Sequence, residues 1–539
     1  MEVRKIFSKS WRINTDSSQC SPEIMEEFGL SPLIAKLLTN RKVTTSEEVK
    51  FFFKGGKKDL PCPFLLKGMD QAVDLFEASL KNKEKILIYG DYDVDGLTSV
   101  ALILRTLRRY NTGNIIYYLP KRLAEGYGLH LQALTKAVNY GCTLVVTVDC
   151  GITACSEADY LTEKGVKLLL TDHHEPGEQL PTAAALVNPK LSPDYPYPQL
   201  AGVGVAFKLL QGLATRVPEL EVDLWENIDL VALGTIADVV PLLGENRVLV
   251  KEGLKALKNT GNPGRLGDPA VGLRLLLETN PDRARKVAEL LEKMNRRRQN
   301  VEEQVLKEAE GMLATTDDVG KAIVLAGDWH PGVIGIVASR LAEKFYRPTV
   351  LLSIREEMAK GSARSIPGFH LFRALEKCAS YLNTYGGHEF AAGVEVEKAR
   401  LVDFKKAFLA VADLWLTNEM LTPCLEVEEV IEVAEVTKDL LNNLLQLAPF
   451  GAGNPEPILA SRKVNIFSYN GVGKNAKHLK LKVGNEFARY EAIGFNYGSL
   501  AAQLEGIEWV DLAFNVTEND WNNQIQLVLK DLQPVAEVG

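Results

Sequence analysis

At 539 residues the chain is too long for a single hydrophobic core, so three or four structural units are expected. Its 46% hydrophobic and 24% charged residues, with no low-complexity tract, place it among globular proteins and exclude a disordered or fibrous one. The net charge of −8 argues against binding nucleic acid by bulk electrostatics, but basic groups need only line one channel.

The seven cysteines (Cys20, Cys62, Cys142, Cys150, Cys155, Cys378, Cys424) are scattered and form no CxxC pair. Neither a disulfide framework nor a zinc knuckle is indicated. The opening MEVRKIFSKSWRIN lacks the apolar stretch of a signal peptide, and no uncharged run is long enough to span a bilayer. The expectation is a cytoplasmic chain with no membrane partner.

Residues 1–60 read as a helical leader. From Lys85 short apolar runs alternate with amphipathic stretches, the pattern of βαβ units around a mainly parallel, doubly wound sheet. Ile86 to Tyr89, Ile115 to Leu119, Leu144 to Val148 and Lys167 to Leu170 read as buried strands, and Leu97 to Arg109 and Leu131 to Tyr140 as crossover helices. This first α/β domain is expected over 61–243. A helical linker follows over 244–315. In it Val287, Leu291, Met294, Val301 and Val305 form an apolar seam interrupted by Arg298. A second α/β unit, beginning with a strand at Ala322 to Ala326, is expected over 316–400. The remainder, 401–539, should hold a small OB-like β-barrel, with strands at Val464 to Tyr469, His478 to Val483 and Val510 to Val516.

The chemistry lies at strand ends. The first strand runs into GDYDVDG, which supplies Asp91, Asp93 and Asp95; the third ends in Asp149; the fourth ends in TDHHEP, with Asp172, His173 and His174. In a parallel sheet all of these fall on the carboxyl edge, where ligand crevices form. Asp238, in LGTIADVVPL, is a lone acid inside an otherwise apolar helix. Taken singly, Asp91 or Asp95 reads as a helix cap, Asp149 as a turn residue, the His pair as a surface feature and Asp238 as a cap or ion-pair partner. Taken together they crowd one edge, at a cost that divalent cations remove. Oxygen ligands with one or two imidazoles favour Mn²⁺ or Mg²⁺, and two ions sharing a carboxylate suit phosphoester hydrolysis.

GDYDVDGLTS, VTVDCG, TDHHEP and LGTIADVVPL resemble the four ordered motifs of the DHH phosphoesterases, and YGGHEFAAG resembles the signature of their associated substrate domain. With YLPKRLAEGYG, GDWHPGVIGIVASRL, GSARSIPGFHL and LAPFGAGNPEP, the similarity extends from about Leu60 to the C-terminus and points to the exonuclease branch of that family.

The resemblance implies a 5′→3′ exonuclease on single-stranded DNA that releases nucleoside 5′-monophosphates in recombination and repair. A single-strand-binding protein and a helicase are the implied partners. Asp93, Asp95, Asp149, His173 and Asp238 would hold the two ions, with Asp149 bridging them, and His174 would face the scissile phosphate. The family's usual histidine four residues before Asp93 is Tyr89 here, which leaves Asp91 or water to fill that position.

Ser362 and Arg364 would form a 5′-phosphate pocket, with Arg122, Tyr127 and His388 as further contacts and His330 a weaker one of the same kind. Arg298 reads equally as a DNA contact or as the partner of a carboxylate. GGHEFAAG reads either as a substrate contact or as a tight turn with close backbone packing. Lys474, Lys477, Lys480 and Lys482, near Phe467 and Tyr469, suit single-strand binding or a solvated hairpin. Two other functions remain open: a DHH phosphodiesterase for oligoribonucleotides or cyclic dinucleotides, and a binding scaffold without catalysis.

Overall fold

A computed structural model describes residues 9–14, 21–109, 114–122, 125–257, 269–315, 319–519 and 522–535. Cys20, two residues of KRLAEGYG (123–124) and residues 258–268 of the expected linker lie outside them. No described helix is long and apolar enough to cross a membrane.

The first α/β domain carries a five-stranded sheet. Its order is Ile115–Tyr118, Ile86–Gly90, Leu144–Val148, Lys167–Thr171 and Ala185–Val187, all parallel. Ile86–Gly90 and Leu144–Val148 are buried at every position, as befits strands covered by helices on both faces. The chain leaves Ile86–Gly90 toward one neighbour and returns on the other side, so the switch in strand order falls between Ile86–Gly90 and Leu144–Val148. The crevice that forms at such a point is the one the acidic motifs flank. The last strand, Ala185–Val187, was not among those expected.

The expected linker divides in two. Gly244–Leu257 is a helix whose Leu249 belongs to the core of the first domain, while Val250 packs with Ala232 and Leu242. It therefore belongs with that domain and not with the linker. The long helix Pro281–Ala314 does connect the two α/β units. Of its expected seam Leu291 is buried, and toward its C-terminal end Val305, Ala309 and Leu313 join the core under the helix Pro331–Phe345. Glu302, buried in that seam, pairs with Arg298 and Arg340.

The second unit has the sheet order Thr384–Gly387, Ala391–Glu397, Met358–Arg364, Thr349–Arg355, Ile323–Gly327, with only the last pair parallel. The helix Leu401–Trp415 buries Phe404, Phe408 and Ala412 in this unit's core. The boundary expected at residue 400 therefore lies beyond that helix.

In the C-terminal unit Leu459–Val472, His478–Gly484, Arg489–Gly494, Ile525–Pro534 and Trp509–Glu518 pair in that order, and the last closes on the first as a barrel. The leader is part of this unit. Its strand Ser10–Ile13 pairs in parallel with Cys424–Val427. Its helices Pro32–Asn40 and Ser46–Lys54, capped by Ser31 and Thr45, bury Ile34, Leu37, Leu38, Val49 and Phe52 against the barrel core.

Candidate metal centre and anion pocket

Ile86–Gly90 opens into the helix Val94–Thr106, with Asp93 as its cap: Oδ1 accepts the Gly96 N–H at 3.0 Å. The capping role expected of Asp91 or Asp95 thus falls to Asp93, and both neighbours turn inward, Asp91 3% exposed and Asp95 1%. Asp95 is gripped by the first turn of the helix Gly202–Ala214, its oxygens accepting from Gly202 N–H at 2.6 Å and Val203 N–H at 2.8 Å. Gly202 is required there, because a Cβ on it would lie 2.5 Å from Asp149 Oδ1.

Asp149 sits at the end of its strand with φ 63°, a left-handed conformation that non-glycine residues hold mainly at functional sites. Asp238 lies one residue past the helix Ile228–Ala237, as its C-terminal cap and not inside it.

Five carboxylates and two imidazoles converge as three overlapping trios: Asp91, Asp93 and Asp149; Asp149, His173 and His174; Asp95, His173 and Asp238. Within each trio the donor atoms lie within 4.8 Å of one another. His173 Nε2 is 3.2 Å from Asp149 Oδ1, 3.6 Å from Asp238 Oδ2 and 3.9 Å from Asp95 Oδ2. Yet Asp91 Oδ1, Asp149 Oδ1 and His173 Nε2 are buried without a hydrogen-bond partner. Clustered ligand atoms left unsatisfied fit bound cations, and the oxygen-rich set suits Mn²⁺ or Mg²⁺.

The electrostatics agree. Burial, then the charge of Asp93, raises Asp91 to about 7, and the same two causes raise Asp238 to about 6. Burial and the charges of Asp95 and Asp93 push Asp149 well above the usual carboxylate range. Burial and the His174 charge bring His173 down to about 4, leaving the neutral imidazole that a metal requires.

Asp172 is absent from these trios. Its Oδ2 accepts the Ile152 N–H at 2.9 Å, and its Oδ1 accepts the His173 N–H at 2.7 Å and lies 2.7 Å from His174 Nδ1. It therefore orients the DHH loop and leaves His174 Nε2 free. Burial works against charge on His174, but the Asp172 hydrogen bond and charge outweigh it and raise the imidazole. Sequence reasoning counted Asp172 among the acids of the metal edge, whereas it orients the DHH loop, and did not single out Gly202; QLAGVG before an apolar helix was the available signal. Tyr89 does not replace the family histidine, since its hydroxyl donates to Gly128 O at 3.0 Å. Asp91 is the residue that joins the cluster in its stead.

In the second unit the strand Met358–Arg364 presents Ser362 and Arg364 toward the helix Pro331–Phe345. Arg364 Nε donates to Ser339 Oγ at 3.1 Å, and Nη1 to Ser362 Oγ at 3.2 Å. Gly335 gives these groups room: a Cβ there would lie 2.9 Å from Ser362 Oγ. Exposed Arg122 is near enough to act on both centres. Burial lowers the Arg364 pKa and the Arg122 charge adds to that, while the same charge opposes the rise at Asp91. Arg122 also lies over the Tyr92 ring, 5.5 Å from its centroid. Tyr127 joins the metal side, its hydroxyl 3.1 Å from His174 Nδ1.

His388 is exposed in the hairpin beside Arg364, whose strand partner is Ala391. Gly387 serves the turn itself, because a Cβ would meet Ala391 O at 2.3 Å, whereas Gly386 faces open space. His330 caps its helix by accepting the Gly332 N–H at 3.1 Å. Arg298, left open by the sequence, pairs with Glu302 and donates to Asn295 Oδ1 at 3.0 Å. On the barrel, Lys480 pairs with Glu491 at 2.9 Å, and Arg489 covers the exposed Phe467 ring at 4.1 Å.

The chain matches the DHH family, N-terminal domain, over residues 85–235, the DHHA1 domain over 299–418 and the RecJ OB domain over 427–531. It is 35% identical to the single-stranded-DNA-specific exonuclease RecJ of Bacillus subtilis, over 97% of this chain and 70% of that one. To the protein of the same name from Escherichia coli it is 32% identical, over 94% and 96%. The crystal structure of RecJ in complex with Mn²⁺ from Thermus thermophilus superposes with a TM-score of 0.81 at 29% identity, covering 98% of this chain and 80% of that one.

The raised carboxyls set a pH dependence. With folded pKa values of about 7 and 6 for Asp91 and Asp238, both bind protons more tightly folded than unfolded. Their contribution to metal-free stability is complete below the ordinary aspartate pKa of about 4 and is lost as pH rises through those values. Cations need the ionised forms. The rise in Tm on adding Mn²⁺ should therefore grow between about pH 5.5 and 7.5 in a thermal melt; a rise that is flat or shrinks with pH would contradict this.

Proposed function

The chain belongs to the RecJ family of DHH phosphoesterases, and from that we propose a metal-dependent, single-stranded-DNA-specific exonuclease that digests from the 5′ end by two-cation phosphodiester hydrolysis. The observation that carries this reading is the convergence of seven acid and imidazole side chains with three of their buried atoms unsatisfied. Asp93, Asp95, Asp149, His173 and Asp238 would hold the ions. Asp149, common to two trios, would serve both ions, and Asp91 would supply a further oxygen beside Asp93. When bound, the cations supply the positive charge that acidifies an attacking water and offsets charge growing on the phosphate.

The protein's own groups do the rest. Asp172 keeps His174 oriented with Nδ1 engaged, so Nε2 is available to donate to a phosphoryl oxygen, and Tyr127 steadies the same ring. Ser362 and Arg364, with the room that Gly335 leaves beside them, fit a terminal phosphate, and Arg122 and His388 extend that basic surface. An end held there with its next linkage at the metal centre is a geometry for exonucleolytic release of nucleoside 5′-monophosphates. Arg298, committed to Glu302, is left out of the contact set.

Polarity mapping tests the proposal most broadly. A 3′-labelled, 5′-phosphorylated single strand with Mn²⁺ should shorten steadily while its label is retained to the end, and Asp149→Ala should abolish digestion. Immediate loss of the 3′ label as mononucleotide would reverse the polarity. Undiminished digestion by the variant would remove Asp149 from the metal centre.

The phosphate pocket makes a separate prediction. Arg364→Ala should raise KM for 5′-phosphorylated strands by an amount worth about 1.5–3 kcal/mol, the range for a hydrogen bond to a charged group. The change in kcat should be smaller, and 5′-hydroxyl strands should be little affected. Equal KM values for variant and parent on phosphorylated ends would place the terminal phosphate elsewhere.

A further inference from the structure

Asp238 reaches the cluster from an awkward backbone. The next residue, Val239, has φ 63°, which a β-branched side chain rarely tolerates, and it is 68% exposed, so its own packing does not hold it there. Its own N–H reaches Ile236 O at 3.4 Å, and the residues that follow it are held from the other end of the chain. Leu242 N–H donates to Ala452 O at 2.7 Å, linking Pro241–Leu243 to the loop GAGNPEP of the C-terminal unit. The approach is so close that a Cβ on Gly453 would lie 2.8 Å from Pro241 Cβ, and one on Gly451 2.7 Å from Leu242 Cδ1. Leu243 itself packs on the barrel core.

The loop is in turn unusually well fixed. Asn454 Nδ2 donates to Leu447 O and Pro449 O, each at 2.8 Å, and Asn454 Oδ1 accepts from Arg41 Nε at 2.6 Å. Arg247, 1% exposed and a few residues beyond Leu243, donates to Leu447 O at 2.8 Å, Ala448 O at 2.7 Å and Gln446 O at 3.2 Å. It also donates to Phe52 O of the leader at 3.0 Å. A buried guanidinium that directs its donors to carbonyls of the leader and of Gln446–Ala448, the segment to which Asn454 of the loop is also bonded, clamps both to the helix following the Asp238 turn. Asn246 completes the brace, donating to Pro241 O at 3.1 Å and Gln199 O at 2.6 Å.

We propose that the GAGNPEP loop is a positioning element of the metal centre: by bracing Pro241–Leu243 it holds the strained turn at Val239 and so keeps the Asp238 carboxylate among the other ligands. The C-terminal unit then acts on metal binding as well as on DNA. The inference rests on the reading of Asp238 as a cation ligand. Residues that orient ligands without touching the metal commonly change its affinity by about 10–100-fold.

The test is Mn²⁺ binding to the full chain without DNA, measured by titration calorimetry. Gly453→Ala should weaken binding about tenfold, Asp238→Asn should weaken it at least as much, and the double variant should bind no worse than Asp238→Asn alone. Gly506→Ala is the control: its φ of 78° makes alanine equally strained, but its added Cβ meets nothing within 4 Å, so parental affinity is expected. Should Gly453→Ala fail to fold, Gly451→Ala, whose added methyl meets only the Leu242 side chain, gives a smaller loss in the same direction. Parental affinity in the loop variants, a loss additive with Asp238→Asn, or an equal loss in Gly506→Ala would overturn the bracing role. Parental affinity in Asp238→Asn would instead overturn the assignment of Asp238, and the brace with it.

Discussion

Carboxylates held within a few ångström of one another repel, and those that are buried give up hydration that the protein returns only in part. Here that repulsion involves Asp91, Asp93, Asp95, Asp149 and Asp238, and much of the surrounding architecture exists to impose it. A helix N-terminus grips Asp95, a left-handed backbone aims Asp149, and a strained turn at Val239 follows Asp238. The helix N-terminus offsets part of the charge on Asp95, whereas the two left-handed backbones cost folding free energy. Such strain persists where the surroundings over-determine it, and it becomes intelligible when cations restore what the cluster lacks.

The same architecture separates chemistry from choice of substrate. The candidate metal ligands come from strand ends and helix ends of the first domain, whereas Ser362 and Arg364, proposed for the terminal phosphate, come from a separate sheet. The two are joined through the long helix Pro281–Ala314, with Arg122 charge-coupled to both sides. Glu302 of that helix, paired with Arg298 of the same helix and with Arg340 of the helix Pro331–Phe345, replaces the apolar contact that the seam would otherwise make at this point. It ties the connecting helix to the helix Pro331–Phe345 that flanks the anion pocket.

The parallel sheet and its ligand edge were legible because both are local: a run of Ile, Leu and Val ending in Asp needs no distant partner to interpret. Three barrel strands were legible from their alternating polarity, whereas Arg489–Gly494 and Ile525–Pro534 were not among those expected. What the sequence hid was long-range. The strand Ser10–Ile13 has its partner more than 400 residues away, so nothing nearby marked the leader as part of the C-terminal unit. The helix Leu401–Trp415 is amphipathic in either neighbour's company, and only its contacts assign it to the second unit. Asp91, Asp93 and Asp95 were readable as a group, but which one caps the helix depends on backbone angles. Arg298 was evenly balanced until Glu302 proved to be buried beside it. Arg247 looked like any arginine of an amphipathic helix.

The account depends on two cations filling the space between these ligands. Anomalous scattering from Mn²⁺-soaked crystals measures this most directly. Two peaks about 3.5–4 Å apart, with Asp149 in contact with both, are the predicted result. A single peak, or Mn²⁺ bound away from Asp149 while the acidic edge stays empty, would contradict it.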